Sequence, residues 1–255
     1  MLKNNPKLKN KIQNMYSWCH DSMINSFLEG IIGDFWCDNY DSPESAAIFT
    51  GDFAYLSGKP CDDKELISIL KSKNNHLVIV PQSDNWYEPL ENAGLELKKT
   101  VRFHTAIPNN DFSSDNLNLI KEKIIEISGA KMRKINETDY YLLKECTWEN
   151  AFVSNFKDYD DYSRHGFGYI IYINEEIVSC TSTFGYYSKG VEIQVATNPK
   201  YRKKGLAKIC SAAFILHCIE TNKIPHWDAA NEFSLKIAQK LGYIPDGEYI
   251  AYEKF

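Results

Sequence analysis

Between Val191 and Ile219 a strand pattern, a basic glycine-containing turn and a long apolar run follow one another directly, and no other stretch restricts the fold so strongly. Val191-Glu192-Ile193-Gln194-Val195-Ala196-Thr197 alternates apolar and polar residues with β-branched types, the period of a strand, and Asn198-Pro199 stops it. Leu206 to Ile219 is almost continuously apolar over a span too long for a strand, so it reads as a buried helix. The first turn of a helix carries partial positive charge on its unpaired N–H groups and prefers acids. Here Lys200, Arg202, Lys203 and Lys204 crowd that end instead. Each cation there costs a few tenths of a kcal/mol to about 1 kcal/mol, a cost explained if a polyanion normally sits in the turn. Gly205 lacks the Cβ that would hold a phosphate off the backbone amides, and Ala207 keeps the next turn slim. The turn therefore reads as a phosphate or pyrophosphate cradle. A Lys/Arg run is also commonly a solvated face, and the turn alone does not separate the two.

A length of 255 residues with 44% hydrophobic content suits one large domain or two small ones with an ample core. The net charge of −5 disfavours general nucleic-acid binding and makes the basic turn a local exception, which points to a small anionic ligand. The seven cysteines form no Cys-x-x-Cys pair and are odd in number, so a reducing, cytoplasmic setting is expected and no metal site is. Met1 to Pro6 shows no apolar leader, and no run reaches the roughly 18 apolar residues of a membrane span.

The spacing of Ile12, Met15, Tyr16, Cys19, Met23, Ile24, Phe27, Leu28 and Ile31 predicts one long amphipathic helix over 7–32. Short strands at 34–39, 46–50 and 53–56, a helix at 64–72 capped by Asp62-Asp63, a strand at 76–81, a helix at 87–93 and a strand at 100–107 follow. The polar stretch 108–116 reads as a linker, dividing an N-terminal α/β half, 1–116, from a second domain, 117–255. In the latter, a helix is expected at 117–128 and a helix or helix pair at 137–153, with strands at 130–135, 168–173 and 177–184, and an aromatic, acidic loop at Phe156 to Tyr162. Beyond the apolar helix come a strand at 225–230, a helix at 233–241 and a strand at 247–255. The order strand, Asn, helix, Gly, strand occurs in both halves, from His76 and from Ile224. It reads either as a degenerate duplication or as chance likeness of two α/β segments.

Two motifs then carry a resemblance. Arg202-x-x-Gly205-x-Ala207 matches the Arg/Gln-x-x-Gly-x-Gly/Ala turn of GNAT-superfamily N-acetyltransferases, and Asn231-x-x-Ser234 with Leu241-Gly242-Tyr243 resembles the family's Asn-x-x-Ala/Ser helix ending in Gly-Phe/Tyr. The resemblance covers about residues 130–255. The run Trp227-Asp228-x-x-Asn231-x-x-Ser234 is similar to the subgroup that includes zwittermicin A resistance proteins. It implies an α/β (α+β) fold with a mixed sheet splayed between two strands, flanked by helices, with acetyl-CoA as cosubstrate in the gap. The amides of Arg202, Lys203, Lys204, Gly205, Leu206 and Ala207 would hold pyrophosphate. The edge of Val195, Ala196 and Thr197 would pair with the pantetheine amides, and Asn231 and Ser234 would face the same arm. Glu192 is the candidate base, because an ammonium has no lone pair with which to attack; a solvated strand-edge carboxylate is the alternative reading. Many relatives place a tyrosine where this chain has Ala238, so the general acid is unassigned, with Ser234, Tyr243 and water as candidates.

The expected activity is acetyl transfer from acetyl-CoA to a small-molecule amine by direct attack in a ternary complex. The first half would shape the acceptor side or a homodimer contact. A non-catalytic acyl-CoA-binding or sensor protein is the alternative. A transferase using charged RNA is disfavoured by the net charge and the single basic turn.

Overall fold

The computed structural model describes residues 6–74, 76–109 and 111–254. The leader reading of residues 1–5, Asn110 of the expected linker and Phe255 of the expected last strand lie outside the described residues. Two compact units are present, Met1–Arg102 with Glu248–Phe255, and Phe103–Gly247. The stretch read as a linker, 108–116, falls inside the second unit, at the step from a strand into a helix.

The described residues open with α1 (Pro6–Met15) and α2 (Ser22–Leu28), so the single helix expected over 7–32 is broken. The break has a local cause: the Asp21 carboxylate accepts the Met23 N–H at 2.8 Å and starts a new helix. Between the helices, the Tyr16 hydroxyl donates to the Tyr55 carbonyl and the Trp18 indole to Ser57, which fixes the chain in a turn. Then come β1 (Asp34–Cys37), β2 (Ser45–Thr50), β3 (Phe53–Gly58), α3 (Lys64–Ser72), β4 (Val78–Pro81), α4 (Tyr87–Asn92) and β5 (Leu97–Ala106). Ala47, Leu56, Leu66, Leu70, Ile79, Trp86 and Leu90 form the core of this unit.

The second unit continues with α5 (Ser114–Glu122), β6 (Ala130–Lys134), α6 (Glu137–Lys144), α7 (Tyr159–His165), β7 (Gly168–Ile173), β8 (Glu176–Tyr186), β9 (Gly190–Thr197), α8 (Leu206–Glu220), β10 (Ile224–His226), α9 (Glu232–Leu241) and β11 (Ile244–Lys254). Of the helix or helix pair expected over 137–153 there is one helix, which stops at Lys144, and the segment read as a loop at 156–162 instead leads into α7. Asp158 caps α7 by accepting the Asp161 N–H at 2.9 Å. Strands β6 to β9 form an antiparallel meander, and β10 adds in parallel beside β9 at the edge. Asn174 and Glu175, with φ of 51° and 63°, make the two-residue turn between β7 and β8.

Ten of the fifteen residues of α8 are buried, as expected of a helix apolar all round. Phe214 and Ile215 share a core with Val191 and Ile193 of β9, Leu117 and Ile120 of α5, and Ala238 and Leu241 of α9. Truncating a fully buried phenylalanine such as Phe214 to alanine costs about 3–5 kcal/mol, so this packing holds β9 against the body of α8, while Leu206 and Ile209 seat the start of α8 on Ile171, Ile173 and Val178.

The larger sheet has the order β1-β2-β3-β4-β11-β5. Its β2–β3 pair is antiparallel and β3–β4 parallel around α3, followed by α4 and β5. The same senses recur in β8–β9 and β9–β10 around α8, followed by α9 and β11.

Candidate functional site

Strand β9 pairs with β8 from Val191 to Thr197 but with β10 only from Gly190 to Glu192. Beyond His226 the chain changes partner. Ala229 and Phe103 exchange both backbone hydrogen bonds, each 2.9 Å, and the Thr105 hydroxyl donates to the Trp227 carbonyl at 2.7 Å. The strand expected over 225–230 is therefore a β10 of three residues followed by a segment that has left β9. This switch opens a gap beside β9. Residues 190–193 are buried, whereas Gln194 to Thr197 are half-buried. A strand edge left this way offers N–H and C=O groups to another extended, amide-bearing chain.

Glu192 occupies the vertex. It is 6% exposed, and its Oε1 accepts the Asp228 N–H at 3.0 Å, the first amide freed as the strands part. The β8–β9 register shifts between Thr183 and Gly185, immediately beside Glu192, the kind of bulge that re-aims side chains near functional sites. His226 is the registered neighbour of Glu192 across β9 and β10. Its Nε2 lies 2.9 Å from the Tyr187 hydroxyl, and burial depresses its pKa to about 4.

The turn after β9 is held from below. Asn198 caps a short 3₁₀ turn (Pro199–Tyr201), its Nδ2 donates to Glu176 Oε1 at 3.1 Å, and the Tyr201 hydroxyl donates to Glu176 Oε2 at 2.9 Å. Arg202 Nε donates back to the Thr197 carbonyl at 3.2 Å, and Lys204 lies over the Tyr201 ring. Lys203 and Gly205 both have positive φ, 66° and 79°. Gly205 caps α8 with no side chain across the helix end, so the first-turn N–H groups face outward beside the exposed Lys200, Arg202, Lys203 and Lys204. A Cβ built on Gly205 meets nothing within 4 Å, so the space over the turn is open. Such an end can receive an anion.

The remaining expected residues fall on both sides of the gap. Val195 packs its side chain toward the α8 core and Ala196 toward a second core, so both offer backbone only. The Thr197 hydroxyl is 2.8 Å from that of Ser179. Asn231 Oδ1 accepts from the Phe233 and Ser234 amides as the cap of α9, leaving its Nδ2 as donor, and Ser234 Oγ accepts from the Trp227 indole at 3.0 Å. Ala238 is fully buried in the core and brings no proton donor to the gap. Tyr243 is buried, donates to the Pro225 carbonyl at 3.0 Å, and has its pKa raised well above the usual range, first by burial. It is thus a poor general acid. Phe156 and Tyr162, expected in a solvent-facing loop, are core residues. Glu176 and Tyr187 escaped the sequence reading, and no local signal marks them.

The equivalent positions in the first unit are closed. The end of α3 is capped by the Asp63 carboxylate, which accepts from the Glu65 and Leu66 amides. Where β3 passes the end of β4, Gln82 Oε1 accepts from the Gly58 amide and the Ser57 hydroxyl at 2.8 and 3.0 Å. Among the described residues no group of three His, Cys, Asp or Glu side chains is arranged to hold a metal ion, and no helix is long and apolar enough to cross a membrane.

Comparison with known proteins agrees with this geometry. The family model for GNAT acetyltransferases matches residues 13–252. A crystal structure of a GCN5-related N-acetyltransferase-like protein from Streptococcus suis 89/1591 is 31% identical with a TM-score of 0.91, covering 98% of this chain and 99% of that one. A GCN5-related N-acetyltransferase from Kribbella flavida, 13% identical with a TM-score of 0.50 over 82% of this chain and 86% of its own, shares the fold. The uncharacterized N-acetyltransferase YdfB of Bacillus subtilis (strain 168) is 34% identical over 128 residues, 49% of this chain. The match thus spans about half, 48%, of that curated relative's length. With a family match over nearly the whole chain, and both signature motifs flanking the gap between β9 and the chain beyond β10, this protein belongs to the GNAT acetyltransferase family.

Proposed function

We propose that this chain transfers an acetyl group from acetyl-CoA to a small-molecule amine by direct attack in a ternary complex. The observation that carries the reading is the buried Glu192 carboxylate at the vertex of a gap whose other wall is the free edge of β9. When bound, acetyl-CoA supplies an activated acyl thioester. The outward amides of Gly205, Leu206 and Ala207, with Arg202, Lys203 and Lys204, bind and neutralise its pyrophosphate. The edge at Val195, Ala196 and Thr197 orients the pantetheine arm as a neighbouring strand would, with Asn231 Nδ2 and the Ser234 hydroxyl opposite. A backbone amide near Val195 polarises the acyl carbonyl. Glu192 takes the proton that frees the amine's lone pair, directly or through one water. Tyr243 donates its proton to the Pro225 carbonyl, and the Ser234 hydroxyl, which accepts from the Trp227 indole, keeps its proton for the pantetheine arm, so the leaving thiolate is protonated by solvent.

The acidic segment around Asp158, Asp160 and Asp161 favours a cationic acceptor, and the Trp227-Asp228 run favours the subgroup containing zwittermicin A resistance proteins. Seven free cysteines fit a reducing cytoplasm. The buried Ala238 favours the second reading, a non-catalytic acyl-CoA sensor. Incubation with acetyl-CoA and an amine library, read as free thiol, separates the two. Amine-dependent thiol release supports transfer, and tight acetyl-CoA binding without release under any amine leaves the sensor.

A further inference from the structure

Alternation along β9 puts Gly190, Glu192 and Gln194 on one face of the sheet, and the parallel register puts His226 on that face beside Glu192. Adjacent strands run about 4.8 Å apart, so registered side chains on one face are neighbours. Tyr187 lies on the same face. A Cβ on Gly190 would come within 2.9 Å of its Cε1 and 2.5 Å of the Ile224 carbonyl, so glycine at 190 leaves the ring its place beside the strand. From there the Tyr187 hydroxyl reaches His226 Nε2. The line Tyr187, His226, Glu192 thus runs along one face to the vertex.

We propose that His226, braced by Tyr187, is a positioning residue for Glu192, holding its carboxylate at the vertex of the gap and setting the pH at which it takes a proton. The inference rests on the reading of Glu192 as the base. A histidine that stays neutral down to about pH 4 suits the task, since it presents a polar ring beside the carboxylate without adding a competing cation. The other titratable groups facing the vertex are Asp228, whose amide bonds Glu192, and Tyr243, whose hydroxyl donates to Pro225 and whose pKa is raised first by burial and in part by Cys218 and Glu192. His104 joins them, because the Phe103–Ala229 bridge sets it opposite Asp228.

The test is the titration of the Glu192 side-chain carboxyl by carbon NMR on the full, ligand-free chain, assigned with Glu192→Gln. Replacing His226 by phenylalanine exchanges a polar wall for an apolar one and is expected to raise the Glu192 midpoint by about one pH unit or more, a tenfold change in proton affinity. Tyr187→Phe removes one oxygen and is expected to shift it the same way by less, and it serves alone if His226→Phe does not fold. A midpoint unchanged in a folded His226→Phe, or in Tyr187→Phe where only that variant folds, overturns the proposal. The titration is independent of the acceptor. If Glu192→Gln leaves amine-dependent thiol release unchanged while the midpoints shift, the base assignment fails and the positioning stands. If the rate falls and the midpoints do not move, the positioning alone fails.

Discussion

The Glu192 carboxylate accepts the Asp228 amide at 3.0 Å, and this bond takes the place of a ladder bond that the parting of β9 and the chain beyond β10 removes. The Phe103 and Thr105 backbone and side-chain bonds draw residues 227–229 away, so the carboxylate both satisfies a freed N–H and stands where the gap begins. Glu192→Gln keeps an oxygen for that amide and removes the proton acceptor. It is expected to lower kcat about 10²–10⁴-fold with acetyl-CoA affinity within about twofold of wild type, by steady-state kinetics and calorimetry. Glu192→Leu strands the Asp228 amide and should also cost about 1–3 kcal/mol of stability. An unchanged rate in the glutamine variant removes the role.

Gly205 is at φ 79° with open space over it, so a substitution there acts through backbone strain and through what it projects into the turn. Gly205→Glu is expected to abolish acetyl-CoA binding in calorimetry, since it sets a carboxylate among the amides proposed to bind pyrophosphate. Gly205→Asn, which tolerates the left-handed region, should retain measurable binding. Equal binding by both variants would sink the cradle.

The turn's rigidity comes from Glu176, which joins Asn198 and Tyr201 from the β7–β8 hairpin. Glu176→Ala leaves the cations in place and releases the turn. The expected outcome is an acetyl-CoA Kd raised about tenfold, roughly the 1.4 kcal/mol of one lost charge-assisted anchor, with kcat at saturation unchanged. A fall in kcat at saturation would show that the anchor does more than bind.

Much of this was legible in the sequence because β9, its turn and α8 each announce themselves locally, through a hydrophobic period that changes at a basic glycine turn. The break between α1 and α2 was not, since the apolar spacing from Tyr16 to Met23 continues across it and only the Asp21 cap interrupts it. The short α7 read as a loop for the opposite reason. Phe156, Tyr159 and Tyr162 recur every third residue, but over too few positions among acids to mark a period, yet Asp158 caps the helix and Tyr162 is buried. The length of β10 is a tertiary fact. Trp227 to Ala229 continue a strand pattern, but they pair with residues more than a hundred positions earlier. Tyr187 sits in a hairpin turn, and only the fold brings it to His226.

The two units repeat one strand and helix order, but the helix end left without a side-chain cap in the second is capped in the first. Asp63 occupies the helix end in the first with a carboxylate, and Gln82 bridges the strand ends where a gap would open. Calorimetric titration with acetyl-CoA should therefore give one site per chain. A stoichiometry of two would mean that Gln82 and Asp63 move aside. In that case Asp63→Asn and Gln82→Ala should strengthen the second site.

His226 also ties stability to pH. Its ring ordinarily takes a proton near pH 6.5, and burial holds it to about 4. Between these values the unfolded chain binds a proton that the native chain does not, so the contribution is complete above pH 6.5 and is lost as pH falls toward 4. The loss is at most about 3 kcal/mol for a depression of this size. His217 has the same sign, lowered first by burial and then by Lys134, with Glu220 opposing, and carboxylates titrate in the same window. The informative quantity is thus a difference. Urea unfolding of the wild type and of His226→Asn at pH 7, 6, 5 and 4 should show the wild type losing up to about 3 kcal/mol more than the variant, nearly all of it between pH 6.5 and 4. Parallel curves would mean that His226 titrates in the folded chain as it does in water, and the neutral wall beside Glu192 would be lost with it.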